Sequence, residues 1–189
     1  MKKAKKCFEI AASLNNQKAN VMLGVMYIYG LGVYRDISKA IDYIESAAKK
    51  NNIKAIFCLI NIYFSGIGVE QDYCKAKYYL ELLLSKQNNS EAYFLIGLIY
   101  ELGLGVKQNY TKAISHFEIA AKQSYIDALV KLGYLYLYGI YFKQNYAKAE
   151  EYFELAQNDS YALNGLGFIY LKGFGVKRDY TKAINYYEQ

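Results

Sequence analysis

Five alanines divide the chain at nearly equal intervals: Ala19, Ala55, Ala92, Ala128 and Ala162 are separated by 36, 37, 36 and 34 residues. Two further landmarks keep the same steps, a tyrosine at Tyr27, Tyr63, Tyr100, Tyr136 and Tyr170 and a glycine at Gly30, Gly66, Gly103, Gly139 and Gly173. A unit of this length is one supersecondary element that cannot bury its apolar face alone, so successive copies must stack to make a continuous core. No single globular domain with one central core satisfies that pattern.

Each copy has an apolar segment, a glycine turn and an amphipathic segment. Ala92 to Tyr100 carries no charge, as expected of a helix covered on most sides. In the following segment of the first full copy, Ile37, Ala40, Ile41, Ile44, Ala47 and Ala48 fall at offsets 0, 3, 4, 7, 10 and 11, with Lys39, Asp42, Glu45 and Lys49 between them. That spacing predicts a helix with one buried stripe and one wet face. Asp36, Asp72, Asn109, Asn145 and Asp179 precede the second segments, where their side chains are expected to cap first-turn amides. Glycine at the turns allows positive φ angles that other residues resist.

These residues resemble the Sel-one-like repeat (SLR) family, a branch of the tetratricopeptide-like α-solenoids. The resemblance rests on Leu23-Gly24, Tyr27, GLGV from Gly30, and Asp36 with Lys39-Ala40; the fifth copy repeats it as Leu166-Gly167, Tyr170, GFGV from Gly173 and DYTKA from Asp179. It implies an all-α, right-handed α/α superhelical solenoid of helical hairpins. Two copies depart from the pattern. Ile60 replaces the glycine found at Gly24, Gly97, Gly133 and Gly167, which predicts wider helix packing there, and the fourth turn reads GIYF from Gly139. The expected divisions are 1–14, the second helix of a truncated repeat; 15–50, 51–87, 88–124 and 125–158, four full repeats; and 159–189, a fifth cut short. Between Ala149 and Ala162 the spacing is 13 residues where Ala113 to Ala128 gives 15, so the join before the fifth repeat is expected to be tighter. With no polar capping repeat, the chain is expected to be part of a longer array with a fraying C-terminal helix.

Composition narrows the function classes. The net charge of +6 raises nucleic acid as a partner, which needs basic residues gathered on one face with aromatics to stack on. The excess is instead read as solvated helix surface at Lys39, Lys75, Lys112, Lys148 and Lys182. Cys7, Cys58 and Cys74 lack the paired spacing of a disulfide framework. Cys58 is placed at the start of a first helix and Cys74 at the start of the second, at opposite ends of one hairpin, so free thiols and a reducing, cytoplasmic setting are expected. The basic start at Lys2, Lys3, Lys5 and Lys6 leads into a stretch that is short and holds Glu9, a poor signal peptide. The apolar run Val21 to Tyr34 holds three glycines and is shorter than the ~20 residues a membrane span needs, so no membrane span is expected.

Nothing in the chain assembles a catalytic constellation, and no cofactor, metal or small-molecule substrate is expected. The one histidine, His116, stands where other copies have Tyr43, Tyr79, Tyr152 and Tyr186, so it is read as a packing residue. The GxGV turns lack the GxxxxGK[ST] that cradles phosphate. Some cysteine-rich SLR relatives are described as β-lactamase-like hydrolases; this chain lacks their disulfide-linked hairpins, and that activity is not carried over. Electrostatic binding of an acidic partner is the other alternative.

The resemblance implies that the first helices line a concave groove and that the chain is a scaffold or adaptor for a partner protein or peptide segment. By analogy, three rows form the groove: Val21, Phe57, Phe94, Val130 and Asn164; Val25, Asn61, Leu98, Tyr134 and Phe168; and Ile28, Phe64, Glu101, Leu137 and Leu171. At ~8 to 10 Å between neighbouring helices the groove would run on the order of 40 Å.

Overall fold

The computed structural model describes residues 2–189, and every regular element among them is an α-helix. The helices form two compact units. Unit 1, Met1–Asn88 with Leu104–Val106, holds α1 (Lys2–Ser13), α2 (Gln17–Tyr29), α3 (Ile37–Ala48), α4 (Ile53–Ser65) and α5 (Tyr73–Leu84). Unit 2, Asn89–Gly103 with Lys107–Gln189, holds α6 (Ser90–Leu102), α7 (Tyr110–Lys122), α8 (Ile126–Tyr138), α9 (Tyr146–Leu155), α10 (Ser160–Lys172) and α11 (Tyr180–Glu188). Within each unit, a helix from an apolar segment packs against the amphipathic helix that follows it, as in α2 with α3 and α6 with α7.

Four local features hold each hairpin in shape. All five expected caps of the second helices form: Asp36, Asp72, Asn109, Asn145 and Asp179 each accept a bond from the amide three residues on. The backbone amide of the same residue donates to the carbonyl of the landmark tyrosine, at 2.9–3.1 Å, so cap and turn close together. The turn glycines adopt φ of 67–71°. Finally, the landmark tyrosine stacks on an aromatic of the second helix: Tyr27 on Tyr43, Tyr63 on Tyr79, Tyr100 on His116, Tyr136 on Tyr152 and Tyr170 on Tyr186, with centroids 5.7–5.9 Å apart. His116 is therefore a packing ring, in parallel contact with Tyr100 at 4°. The lysines read as solvated surface do more than face water. Lys75, Lys112 and Lys148 hold their ammonium 4.8–5.0 Å from the tyrosine centroids, a cation–π cap over each stack.

The glycine of the LG pair marks close helix contact. A Cβ at Gly97 would lie 2.5 Å from the Phe117 ring, and one at Gly133 2.5 Å from the Phe153 ring. In the second hairpin, Ile60 takes the glycine's place and is buried, while Leu80 stands where Phe117 and Phe153 do. A larger residue on one helix is thus matched by a smaller one on its partner. Across the shortened join before the fifth repeat α8 and α10 touch directly, and Phe153 also abuts Gly165. The GIYF turn keeps the glycine conformation: Tyr141 takes φ +69°, a left-handed angle that is uncommon for a bulky residue, and stacks on Tyr110 at 3.8 Å. The three cysteines are free thiols. Contrary to expectation, Cys58 lies inside α4 and not at its start, because Asn52 rather than a later residue is the cap; burial pushes its thiol pKa up.

Partly buried tyrosines make the fold sensitive to alkali. Burial raises the phenol pKa of Tyr152 to about 12 and that of Tyr125 to about 12. Burial, followed by the charge of Glu45, which accepts the Tyr79 hydroxyl at 3.1 Å, raises Tyr79 as well. Because these folded values exceed the ordinary 10.0, the folded state binds more protons than the unfolded one above pH 10. The resulting stability is complete below pH 10 and is lost as pH rises toward 12. Phenolate absorbance and helical circular dichroism are expected to change in one cooperative step in that window. Titration of these phenols near pH 10 with helicity intact would contradict the packing described.

Candidate functional site

The first helices, α2 and α4 in unit 1 and α6, α8 and α10 in unit 2, carry the fifteen residues expected to line a groove. Repeated positions behave differently. The middle row is the most accessible: Val25, Leu98, Tyr134 and Phe168 are half-buried and Asn61 is exposed. Phe57, Phe94, Val130, Phe64 and Leu171 are also half-buried, and Asn164 is exposed. Val21, Ile28, Leu137 and Glu101 are buried; they fill space between helices and present little surface to a partner. At these four positions, one in the first row and three in the third, burial corrects the expected lining.

Unit 2 has the richer apolar face. The Tyr134 ring meets Phe153 edge-on at 5.0 Å and stacks on Tyr138 at 6.0 Å. Its hydroxyl donates to the carbonyl of Tyr161 on α10 at 2.9 Å. Phe168 packs edge-on against Phe174 at 5.6 Å, with the Lys172 ammonium 5.9 Å from its ring centroid. Phe94 lies 5.4 Å from Phe117 and 5.3 Å from Tyr125. Each ring is thus fixed from below by core contacts while an edge or face stays in water.

Several contributors escape a sequence reading built on those three rows. Tyr138 is 57% exposed and Tyr161 66% exposed. Tyr138 belongs to a repeated position directly before the turn glycine, with Tyr29 and Leu102 as its apolar counterparts, so the signal was present as an apolar residue where a helix end is ordinarily polar. The second is an ion pair. Glu101 has a side chain only 5% exposed, and its carboxylate lies 2.9 Å from the Lys131 ammonium, which is 33% exposed. The Tyr141 hydroxyl donates to the same carboxylate at 3.4 Å. Its signal is also periodic: Glu101 occupies a position held elsewhere by Ile28, Phe64, Leu137 and Leu171, and Lys131 one held by Met22, Cys58, Leu95 and Gly165. Opposite charges at two otherwise uncharged repeat positions imply a pair.

No helix among the described residues is long and apolar enough to cross a membrane. No match was found among functionally curated proteins. Among solved structures, the chain is 32% identical to a Sel1 repeat protein from Oxalobacter formigenes, with a TM-score of 0.75 over 99% of this chain and 77% of the other. It is 27% identical to a protective antigen of uropathogenic Escherichia coli that displays an SLR fold, with a TM-score of 0.83 over 97% of this chain and 40% of that one. An immunity protein from Pseudomonas aeruginosa, 20% identical with a TM-score of 0.51 over 97% of this chain and 71% of that one, shares the fold alone. The Sel1 repeat model matches residues 1–16, 17–52, 61–88, 90–125, 126–156 and 160–189. With those matches spanning nearly all of its length, the chain belongs to the Sel1 repeat family.

Proposed function

We propose that this protein is a non-enzymatic scaffold and that the apolar face of its first helices holds a segment of a partner protein. Sel1 repeat proteins are generally protein-interaction scaffolds. In unit 2 the contacting row is Leu98, Tyr134 and Phe168, extended by Tyr138 and Tyr161. The observation that carries this reading is the exposure of Tyr138 and Tyr161 beside the half-buried ring of Tyr134, whose geometry is already set by Phe153 and the Tyr161 carbonyl. Aromatic side chains held rigidly at a surface lose little entropy on binding and dominate interface energies. Apolar patches of this kind mark interaction sites on soluble proteins.

Serine at Tyr138 and Tyr161 removes apolar area without opening the core, because both rings point largely into water. The paired variant Tyr138→Ser, Tyr161→Ser is expected to keep its helicity and melting temperature. It is expected to lose partner affinity by on the order of 30-fold, the scale of one aromatic hot spot. Affinity capture from source-cell lysate, quantified against the unaltered protein, measures this. Equal recovery of the same proteins by both forms would refute this assignment.

A further inference from the structure

The net charge of the chain is not shared between its two units. Unit 1 contains 13 lysines and arginines against 7 acidic residues, whereas unit 2 contains 10 against 10. The whole excess of +6 therefore lies in unit 1. Within it, Lys18, Lys49, Lys50, Lys54 and Lys86 fall in or beside the short connections that join one hairpin to the next. Residues 13–20, 47–55 and 84–88 contain no Asp or Glu. All five lysines are exposed, and among the described residues none of them is in an ion pair.

Contacts across one repeat show that these connections form one edge. The Lys50 ammonium donates to Asn15 Oδ1 at 2.7 Å, and Asn52 Nδ2 donates to Gln17 Oε1 at 3.5 Å. Lys86 follows the end of α5, which packs against α4 in a hairpin and so ends beside the start of α4, where Lys54 sits. Lys18 and Lys54 lie in the first turns of α2 and α4, which hold no acidic residue. A cation there opposes the helix dipole and costs stability. Unit 2 makes the opposite choice, placing Glu91 and Asp127 in the first turns of α6 and α8.

We infer that the edge formed by the inter-hairpin connections of unit 1 is a docking surface for an acidic, extended protein segment. The lysines pair with its carboxylates. The carboxamides of Asn15, Gln17 and Asn51 beside them both donate and accept, which matches the alternating N–H and C=O groups of a peptide backbone. A phosphodiester backbone offers only acceptors, and these three segments contain no aromatic ring on which bases would stack. This surface shares no residue with the apolar face of unit 2, so each can fail without the other.

The test uses the full chain and two variants with equal changes in charge. One carries Lys18→Glu, Lys50→Glu, Lys54→Glu and Lys86→Glu. The control carries Lys107→Glu, Lys122→Glu, Lys143→Glu and Lys177→Glu, all exposed positions of unit 2. Fluorescent poly-glutamate is titrated at low salt and again at moderate salt, in parallel with a double-stranded DNA oligonucleotide and phosphatidylserine vesicles. Wild type and control are expected to bind the poly-glutamate alike, and the edge variant at least about tenfold more weakly, with the difference shrinking as salt screens the charges. A Lys→Gln version of the edge variant, which keeps the stems and removes only charge, is expected to bind at least about fivefold more weakly than wild type. Equal loss in edge and control variants, tighter binding of DNA or vesicles than of poly-glutamate, or no poly-glutamate binding at low salt would overturn the proposal.

Discussion

Replacing Phe153 by alanine is expected to lower the stability of unit 2 by about 3 to 5 kcal/mol, the usual range for deleting a fully buried phenylalanine. Phe153 is 0% exposed, and its ring is held between two glycines on different helices. A Cβ at Gly133 on α8 would stand 2.5 Å from one ring edge, and a Cβ at Gly165 on α10 would stand 2.5 Å from the other. The ring therefore fills the space of two absent side chains, and two helix backbones line the cavity left behind. Helix backbones do not collapse inward as side chains do, which places this site toward the upper part of the range. Gly133→Ala is expected to destabilise on its own by driving a methyl into the ring. Combined with Phe153→Ala, that methyl partly fills the cavity, so the double variant loses less than the sum of the singles. Urea titrations followed by circular dichroism measure all three. A loss below about 1 kcal/mol for Phe153→Ala, far outside the range for a buried phenylalanine, would show that α8 and α10 close over the gap.

The second large effect is expected at Lys131. Lys131→Met leaves the Glu101 carboxylate, only 5% exposed, with the Tyr141 hydroxyl at 3.4 Å as its remaining side-chain donor. Stranding a buried charge costs about 3 to 5 kcal/mol, reduced here to about 2 to 4 because Lys131 is itself one-third in water and the pair is partly screened. The reverse change is milder. Glu101→Leu frees Lys131, which can turn its ammonium into solvent, at a cost of about 1 kcal/mol. Both changes together install the residue types found at the equivalent positions Leu137 and Met22. The double variant is expected to match or exceed the parent in stability, since replacing a buried ion pair by apolar groups of similar volume is often neutral or favourable. Equal losses for the two single variants would mean that Glu101 is hydrated and not buried. A stable double variant that no longer binds a partner would show that the ion pair serves recognition, not folding.

The repeat made the fold legible because its signals are local and recur. Each hairpin is written by a cap residue, an apolar helix, an αL glycine and a tyrosine, whose caps, turns and ring stacks all close within the one hairpin. The packing role of His116 was readable for the same reason, since four other copies place tyrosine at that position. What the sequence did not disclose depends on contact between repeats. The burial of Glu101 is completed by Lys131 and Tyr141 from the next repeat. The clamp on Phe153 needs a glycine, Gly165, that has no counterpart in the other copies and gains meaning only once α10 lies against α8. Tyr141 stands where glycine is the rule, and its stacking partner Tyr110 comes from the preceding hairpin; neither residue announces the other. The basic edge of unit 1 was likewise hidden while charge was read along helices, because it belongs to the connections between them.

The central claim is that the unit 2 first-helix face contacts a partner protein, and site-specific photo-crosslinking in the source cell tests it most directly. A benzophenone amino acid is placed at Tyr138, at Tyr161 and, as a control on a second helix, at Glu151, which is exposed. Irradiation followed by mass spectrometry is expected to give the same protein adduct at Tyr138 and Tyr161 and none of it at Glu151. Identical adducts at all three positions, or none at the two tyrosines, would contradict the assignment of this face as the binding surface.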